Sequence, residues 1–260
     1  MRETFSAVQG AFPGAVPLID FVDGQTRWLA NQGFLPETSL AVLASCRDEL
    51  AAGLRAEVRR QWDFAFDFAS LSGLPLAGAT GARAVRDHAP ERAGRVQIVI
   101  WALPHVGVLD DGTVGQVMRR GRHHPTTACG SLHAAATWAA DSRGDPLAGE
   151  QPIDPRDPEQ SLVRRRLLSA YPGFDTFSPK ELVERVVDLM LADLWDLIDT
   201  LTNPHNVDAA IVSGVLVHGS AGDFVAPRLV RLRRIGKTIE LSASAATSDG
   251  DSTIPQGVSG

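Results

Sequence analysis

Cysteine is scarce in this chain, with two in 260 residues. That excludes a disulfide scaffold, which needs several bridges in a short secreted chain. Excess positive charge is missing too. The formal net charge is −6, which argues against a dedicated nucleic-acid binder and gives no electrostatic pull toward anionic membranes. No apolar run approaches the length of a membrane-spanning helix. The start, Met1-Arg2-Glu3-Thr4, lacks the basic segment and apolar core of a secretory signal. The expected setting is the reducing cytoplasm, with both cysteines as thiols. Gly-x-Gly-x-x-Gly, Walker and Gly-x-Ser-x-Gly sequences are absent as well, which lowers the nucleotide-binding and serine-hydrolase readings.

What is present suffices for one large core. Hydrophobic residues make up 44% and charged residues 22%, an ordinary globular balance. The expected organisation is a single domain over 1–240. A disordered tail, rich in Ser, Ala, Thr, Asp and Gly, is expected over 241–260. The prolines between Asp141 and Glu159 mark a long surface loop.

Val96 to Ala102 is the best strand. It is β-branched, apolar nearly throughout, and ends at Pro104-His105; a continuous apolar run predicts burial on both faces. Ala41 to Ser45 is a shorter apolar run ending at Cys46. Helices are expected over Gln25–Asn31 or a longer stretch around it, over Arg47–Trp62 and from Gly130 to Ala140. Ser178-Pro179-Lys180-Glu181 is a capping box that opens a helix to about Leu201. Ala210–His218 and Phe224–Arg234 read as strands around a turn, with an edge strand over Thr238–Leu241. The pattern predicts an α/β fold: a mostly parallel mixed sheet flanked by helices, with a C-terminal helix and hairpin.

Cys46 follows one predicted strand and precedes a helix. Cys129 precedes another helix, and His105 lies just past the central strand. Sites in open α/β sheets form beyond the carboxyl ends of strands, so one argument brings all three residues to one rim. Two cysteines and a histidine form the donor set of an open zinc site. Asp48, two residues after Cys46, is the natural group to orient a metal-bound hydroxide, held by a nearby arginine. Each residue also has a plain reading. A lone cysteine is most often a small core residue, His105 can simply end its strand, and the spacing matches no local zinc signature. His133 lies on the same helical face as Cys129 and is either a ligand or packed. His123 and His124 are ligands, proton shuttles or a solvated loop, and the run Arg119 to Arg122 is an anion site or a surface turn. His205 and His218 carry no partner signal.

Several ordered motifs then go together. Gly33-Phe34-Leu35-Pro36-Glu37-Thr38 leads into Cys46-Arg47-Asp48-Glu49. Leu71-Ser72-Gly73-Leu74-Pro75 and His88-Ala89-Pro90 follow. Pro104-His105-Val106-Gly107, Arg119-Arg120-Gly121-Arg122 and Ala128-Cys129-Gly130 complete the series. Over roughly residues 12 to 140 the chain resembles the limiting-CO2-inducible protein B/C family, the θ-class carbonic anhydrases. The resemblance implies a fold like β-class carbonic anhydrases, a homodimer, and zinc on Cys46, His105 and Cys129. It implies Asp48 as the aspartate that orients the zinc-bound hydroxide, and reversible hydration of carbon dioxide to bicarbonate.

Leu50 stands where the β-class pattern Cys-x-Asp-x-Arg has arginine, so the partner of Asp48 is sought among Arg47, Arg120 and Arg122. His88, His123 and His124 are the candidate proton relays, and Phe34, Leu74 and Val106 the candidate walls of a carbon dioxide pocket. Neither nucleic acid nor membrane is an expected partner. The main alternative is an inactive carbonic-anhydrase-like subunit whose zinc is structural or regulatory. A weaker one is a hydrolase with Cys129 as nucleophile.

Overall fold

The computed structural model describes residues 2–63, 65–143, 145, 148–201, 206–234 and 237–242. The chain runs α1 (Arg2–Ala11), β1 (Val16–Pro17), α2 (Leu18–Asn31), β2 (Leu40–Ser45), α3 (Ala52–Trp62), β3 (Ala65–Asp67) and α4 (Gly78–His88). It continues with β4 (Glu91–Arg92), β5 (Arg95–Leu103), β6 (His105–Gly107), β7 (Gln116–Val117), β8 (Thr126–Thr127), α5 (Gly130–Asp141) and α6 (Pro158–Ala170). It ends with α7 (Pro179–Leu201), β9 (Val207–Gly219), β10 (Gly222–Arg234) and β11 (Lys237–Ser242).

The main sheet has the order β1-β10-β9-β5-β2-β3, with β11 also on β10 and β6 also on β9. The pairs β2–β3, β2–β5, β5–β9 and β6–β9 are parallel. The late hairpin β9–β10 and the β10–β11 pair are antiparallel. The expected α/β class, mixed sheet and C-terminal helix and hairpin are therefore the observed architecture.

Alternation along the strands divides the core. Leu40, Val42 and Ala44 of β2 face one layer with Ile98, Ile100 and Ala102 of β5. That layer is closed by α1, α4, α5, α6 and α7, through residues such as Val8, Val85, Leu132, Val163 and Met190. Ala41, Leu43, Val99, Trp101 and Leu103 face the other layer, under α2 and α3, where Phe21, Leu54 and Trp62 are fully or almost fully buried. Each such side chain contributes about 1.5–3 kcal/mol on leaving water. A central strand covered on both sides is apolar where both faces are closed, as Leu40–Ala44 of β2 and Ile98–Leu103 of β5 are.

Local signals account for several boundaries. Ser178 and Glu181 form the capping box: the Ser178 N–H donates to Glu181 Oε2 at 2.8 Å, and the Glu181 N–H donates to Ser178 Oγ at 3.3 Å. Pro104 interrupts what would otherwise be one long strand. β5 pairs with the first half of β9 and β6 with the second, and the Pro104 carbonyl accepts from Leu216 N–H at 2.9 Å.

Three expectations change. The helix read over Gln25–Asn31 starts earlier, at Leu18, because Pro17 opens it. The expected helix over Arg47–Trp62 is delayed to Ala52 by a 3-10 turn at Glu49–Ala51 that Asp48 caps. The edge strand expected over Thr238–Leu241 is β11, one residue longer at each end and paired with β10, so it takes in Leu241 and Ser242, the first two positions of the expected tail; residues 243–260 lie outside the described residues, as does His205.

β6 and β7 approach so closely that a Cβ on Gly107 would sit 2.2 Å from the Gln116 carbonyl oxygen. Backbone cannot yield as a flexible side chain can. Gly107→Ala is expected to destabilise the fold by about 1–3 kcal/mol, read from the urea midpoint. Gly130→Ala, where nothing lies within 4 Å of the added methyl, should change stability by less than about 1 kcal/mol.

Candidate metal centre

Three separate devices deliver three side chains to the carboxyl rim of the sheet. Cys46 follows β2 directly and is held by a parallel bridge to Ser70, with the Arg47 N–H on the Ser70 carbonyl at 2.9 Å. Gly73, at φ +78°, lets the next turn lie against this segment; a Cβ there would be 3.1 Å from the Ser45 carbonyl carbon. His105 is turned by the Pro104 break. Cys129 stands at the N-cap of α5, where unpaired backbone N–H groups favour negative charge.

The ligand atoms of Cys46, His105 and Cys129 lie within 4.8 Å of one another. All three residues are buried, at 3%, 1% and 6% exposure, so this is no accidental surface grouping. The Cys129 thiol donates to Cys46 sulfur, which lowers the Cys46 thiol to about 4 against the opposing effect of burial; His105 and the Asp48 backbone N–H add to the lowering. Cys129, holding the shared proton, is pushed up by Cys46 and by burial. His105 Nδ1 is 3.1 Å from His218 Nε2. Its other nitrogen, Nε2, is buried with no hydrogen-bond partner among the described residues. A buried unpaired nitrogen costs free energy, and two thiols beside it supply the rest of a metal-ligand set. The donor set thus fits a thiophilic divalent ion.

Asp48 has both carboxylate oxygens engaged. Oδ1 accepts from the Leu50 N–H at 3.0 Å and Oδ2 from Arg119 Nη2 at 3.0 Å. Burial raises its carboxyl above the ordinary value, against the Leu50 contact, which lowers it.

The arginine on Asp48 is Arg119, and this corrects the expectation. Arg47 turns instead to Glu159 at 2.9 Å and the Ala69 carbonyl at 3.2 Å. Arg120 and Arg122 are exposed. Arg119 also donates to Glu49 at 2.7 Å, Thr126 Oγ1 at 2.8 Å, and the Thr127 and Ala128 carbonyls at 2.6 and 3.1 Å. One guanidinium thereby ties the Cys46 segment to the strand that leads into Cys129. Its planar fork of five N–H donors makes that possible.

A cavity of about 300 Å³ opens beside the cluster. His105 and Cys129 lie on its wall, with Val106, Leu132, Phe177 and Val183. Cys46 and Asp48 do not line it. Of the three expected wall residues, Val106 is there. Phe34 packs on the opposite face of the sheet, and Leu74 is buried in the core without reaching the cavity. His88, His123 and His124 are exposed and off this wall, His88 lying against Phe66. His133 is on it. A larger cavity, of about 730 Å³, lies against Phe5, Leu18, Gly53 and Asp223 and touches none of the three clustered residues.

Sequence reading missed Arg119 and His218. Arg119 stood one place before the arginines considered, in a basic run with no periodicity to rank its members. His218 ended a predicted strand, and nothing local pointed to its partner more than a hundred residues earlier.

Fold and site define an α/β protein with a buried Cys-His-Cys metal-type centre at the rim of its sheet. The family model Limiting CO2-inducible proteins B/C beta carbonic anhydrases matches residues 15–234, and the chain belongs to that family. The match continues past residue 140 through the late hairpin. The crystal structure of limiting CO2-inducible protein LCIB aligns with a TM-score of 0.74 and 23% identity, over 90% of this chain and 96% of that one. That of PtLCIB4, a homolog of LCIB, aligns with a TM-score of 0.74 and 25% identity, over 91% and 99%. No curated protein matches the sequence.

Arg119 is also the first cause of the low Glu49 carboxyl, at about 2 against an ordinary 4.5. A lowered carboxyl stabilises the fold above its unfolded value, and that contribution is lost as pH falls through about 2. In Arg119→Met, Glu49 should titrate well above about 2, toward its ordinary 4.5, read by carbonyl NMR. The stability difference between about pH 6 and pH 3 should shrink accordingly. A Glu49 titration unchanged by the substitution would rule out the clamp.

Proposed function

We propose that this protein hydrates carbon dioxide reversibly to bicarbonate and a proton, with zinc held by Cys46, His105 and Cys129. The observation that carries the reading is the unpaired His105 Nε2 buried beside two thiols. Zinc with three protein ligands keeps a fourth position for water and lowers that water's pKa toward neutrality. Membership of a family described as β carbonic anhydrases supports the same chemistry.

This chain's residues would do the rest. The apolar wall formed by Val106, Leu132, Phe177 and Val183 suits a small non-polar substrate and keeps bulk water off it. Asp48 keeps lone pairs beyond those given to Leu50 and Arg119, and with them it accepts a hydrogen bond from the nucleophilic water. Its two existing bonds oppose swinging onto the metal, which favours an open site over a closed structural one. Arg119 holds Asp48 in place. His133, exposed on the cavity wall, takes the released proton toward solvent, in place of the sequence candidates His88, His123 and His124. A homodimer and a cytoplasmic setting remain part of this reading. Among the described residues no helix is long and apolar enough to cross a membrane.

Stopped-flow carbon dioxide hydration on metal-quantified protein tests the proposal. Wild type should carry one zinc per chain and be active. Cys46→Ala should lose both zinc and activity. Asp48→Ala should keep zinc and lose roughly 10- to 100-fold in activity, as supporting groups around metal ligands do. Full zinc with no hydration between about pH 7 and 9 would point instead to an inactive structural or regulatory subunit. Activity that survives metal removal and is abolished by thiol alkylation would point to a Cys129 hydrolase.

A further inference from the structure

Behind His105 the structure carries a chain of polar groups that the proposed chemistry does not use. His105 Nδ1 is 3.1 Å from His218 Nε2, and His218 Nδ1 is 2.8 Å from Asp223 Oδ1. The two rings meet edge to face, with centroids 5.2 Å apart and planes at 74°. Both histidines are buried, His218 at 3% exposure. β-sheet register sets the geometry. His105 and His218 lie on the neighbouring strands β6 and β9, and His218 is directly opposite Asp223 across the β9–β10 hairpin. Asp223 is confined from its other side by α3, whose Gly53 leaves room for Oδ2: a Cβ there would be 2.7 Å away.

The direction of the chain follows from what each group can donate. An ionised carboxylate only accepts, so His218 Nδ1 carries the hydrogen. A neutral imidazole has one N–H, which leaves His218 Nε2 as an acceptor. His105 Nδ1 must then be the donor. In the neutral ring, the form that binds a metal, its single hydrogen is used there, and its Nε2 is left as a bare lone pair. That is the nitrogen buried without a partner beside Cys46 and Cys129. The opposite tautomer would put an N–H where the ligand lone pair is needed and set two acceptors facing each other behind it.

We infer that His218 and Asp223 are positioning residues, which fix His105 in the tautomer and orientation that present Nε2 to a metal. This inference rests on the metal reading of the Cys46–His105–Cys129 cluster. The carboxylate is supplied two strands away from the ligand, through a second histidine, because β6 has no acidic residue of its own. Residues behind a metal-bound histidine commonly contribute about one to two orders of magnitude in metal affinity.

Two measurements on the full chain test it. The first needs no metal: long-range ¹H–¹⁵N NMR on chelator-treated wild type reads the His105 tautomer. The expected result is Nδ1–H. A predominant Nε2–H form would overturn the inference whatever the metal does. The second is zinc affinity by chelator competition for wild type, His218→Leu and Asp223→Ala, with the cobalt(II) absorption spectrum as a check on ligand geometry. The expected result is roughly tenfold or greater weakening in both variants, with the ligand-to-cobalt thiolate bands retained but shifted. Asp223→Ala removes a partly exposed side chain, so it reports even if the buried leucine variant fails to fold. Unchanged affinity in a folded Asp223→Ala, beside a wild type that binds zinc, would overturn the positioning role alone. A wild type that binds neither zinc nor cobalt would overturn the metal reading and this inference together.

Discussion

Burial of three ligand side chains at one point is the constraint on which the rest of this structure turns. A histidine nitrogen and two thiols away from water need one another, or an ion, to replace lost hydration. Here they have partial satisfaction: one shared thiol proton, one histidine–histidine contact, and one nitrogen left over. Other buried polar atoms are unpaired too, but this one is grouped with two thiols, and that grouping is what lets the site hold an ion.

The parallel core of the sheet makes the convergence possible. β2, β5 and β9 run side by side in the same direction, so Cys46 and the Pro104-His105 break emerge at the same rim. Cys129 arrives from the following segment at the start of α5. Arg119 then bonds Asp48 and Glu49 on one side and Thr126 to Ala128 on the other. Its role is mechanical as much as electrostatic, since it joins segments that are far apart along the chain.

The two faces of the sheet share the work unequally. The layer under α4 to α7 holds the two cysteines and the apolar cavity. The layer under α2 and α3 packs large side chains such as Trp101 and Trp62, and near it lie His218 and Asp223. A metal bound on one side would thus be steadied by polar groups reaching back through the sheet to the hairpin. The antiparallel addition of β10 is what puts a carboxylate in register with His218.

Much of this was legible in one dimension. Apolar runs marked β2 and β5 because strands covered on both faces leave little place for polar residues along their middle. The capping box marked the start of α7 because its hydrogen bonds are local. Cys46, His105 and Cys129 could be grouped because strand ends at one rim converge, and the ordered motifs pointed to their family. The partner of Asp48, the wall of the cavity and the histidine chain were decided only by the tertiary structure. Arg119 differs from Arg120 and Arg122 by where its side chain can reach, and that depends on the packing of a loop against another segment. His218 acquires a partner only when β9 is laid beside β6, since a hydrogen bond between residues 105 and 218 has no signature in the sequence around either.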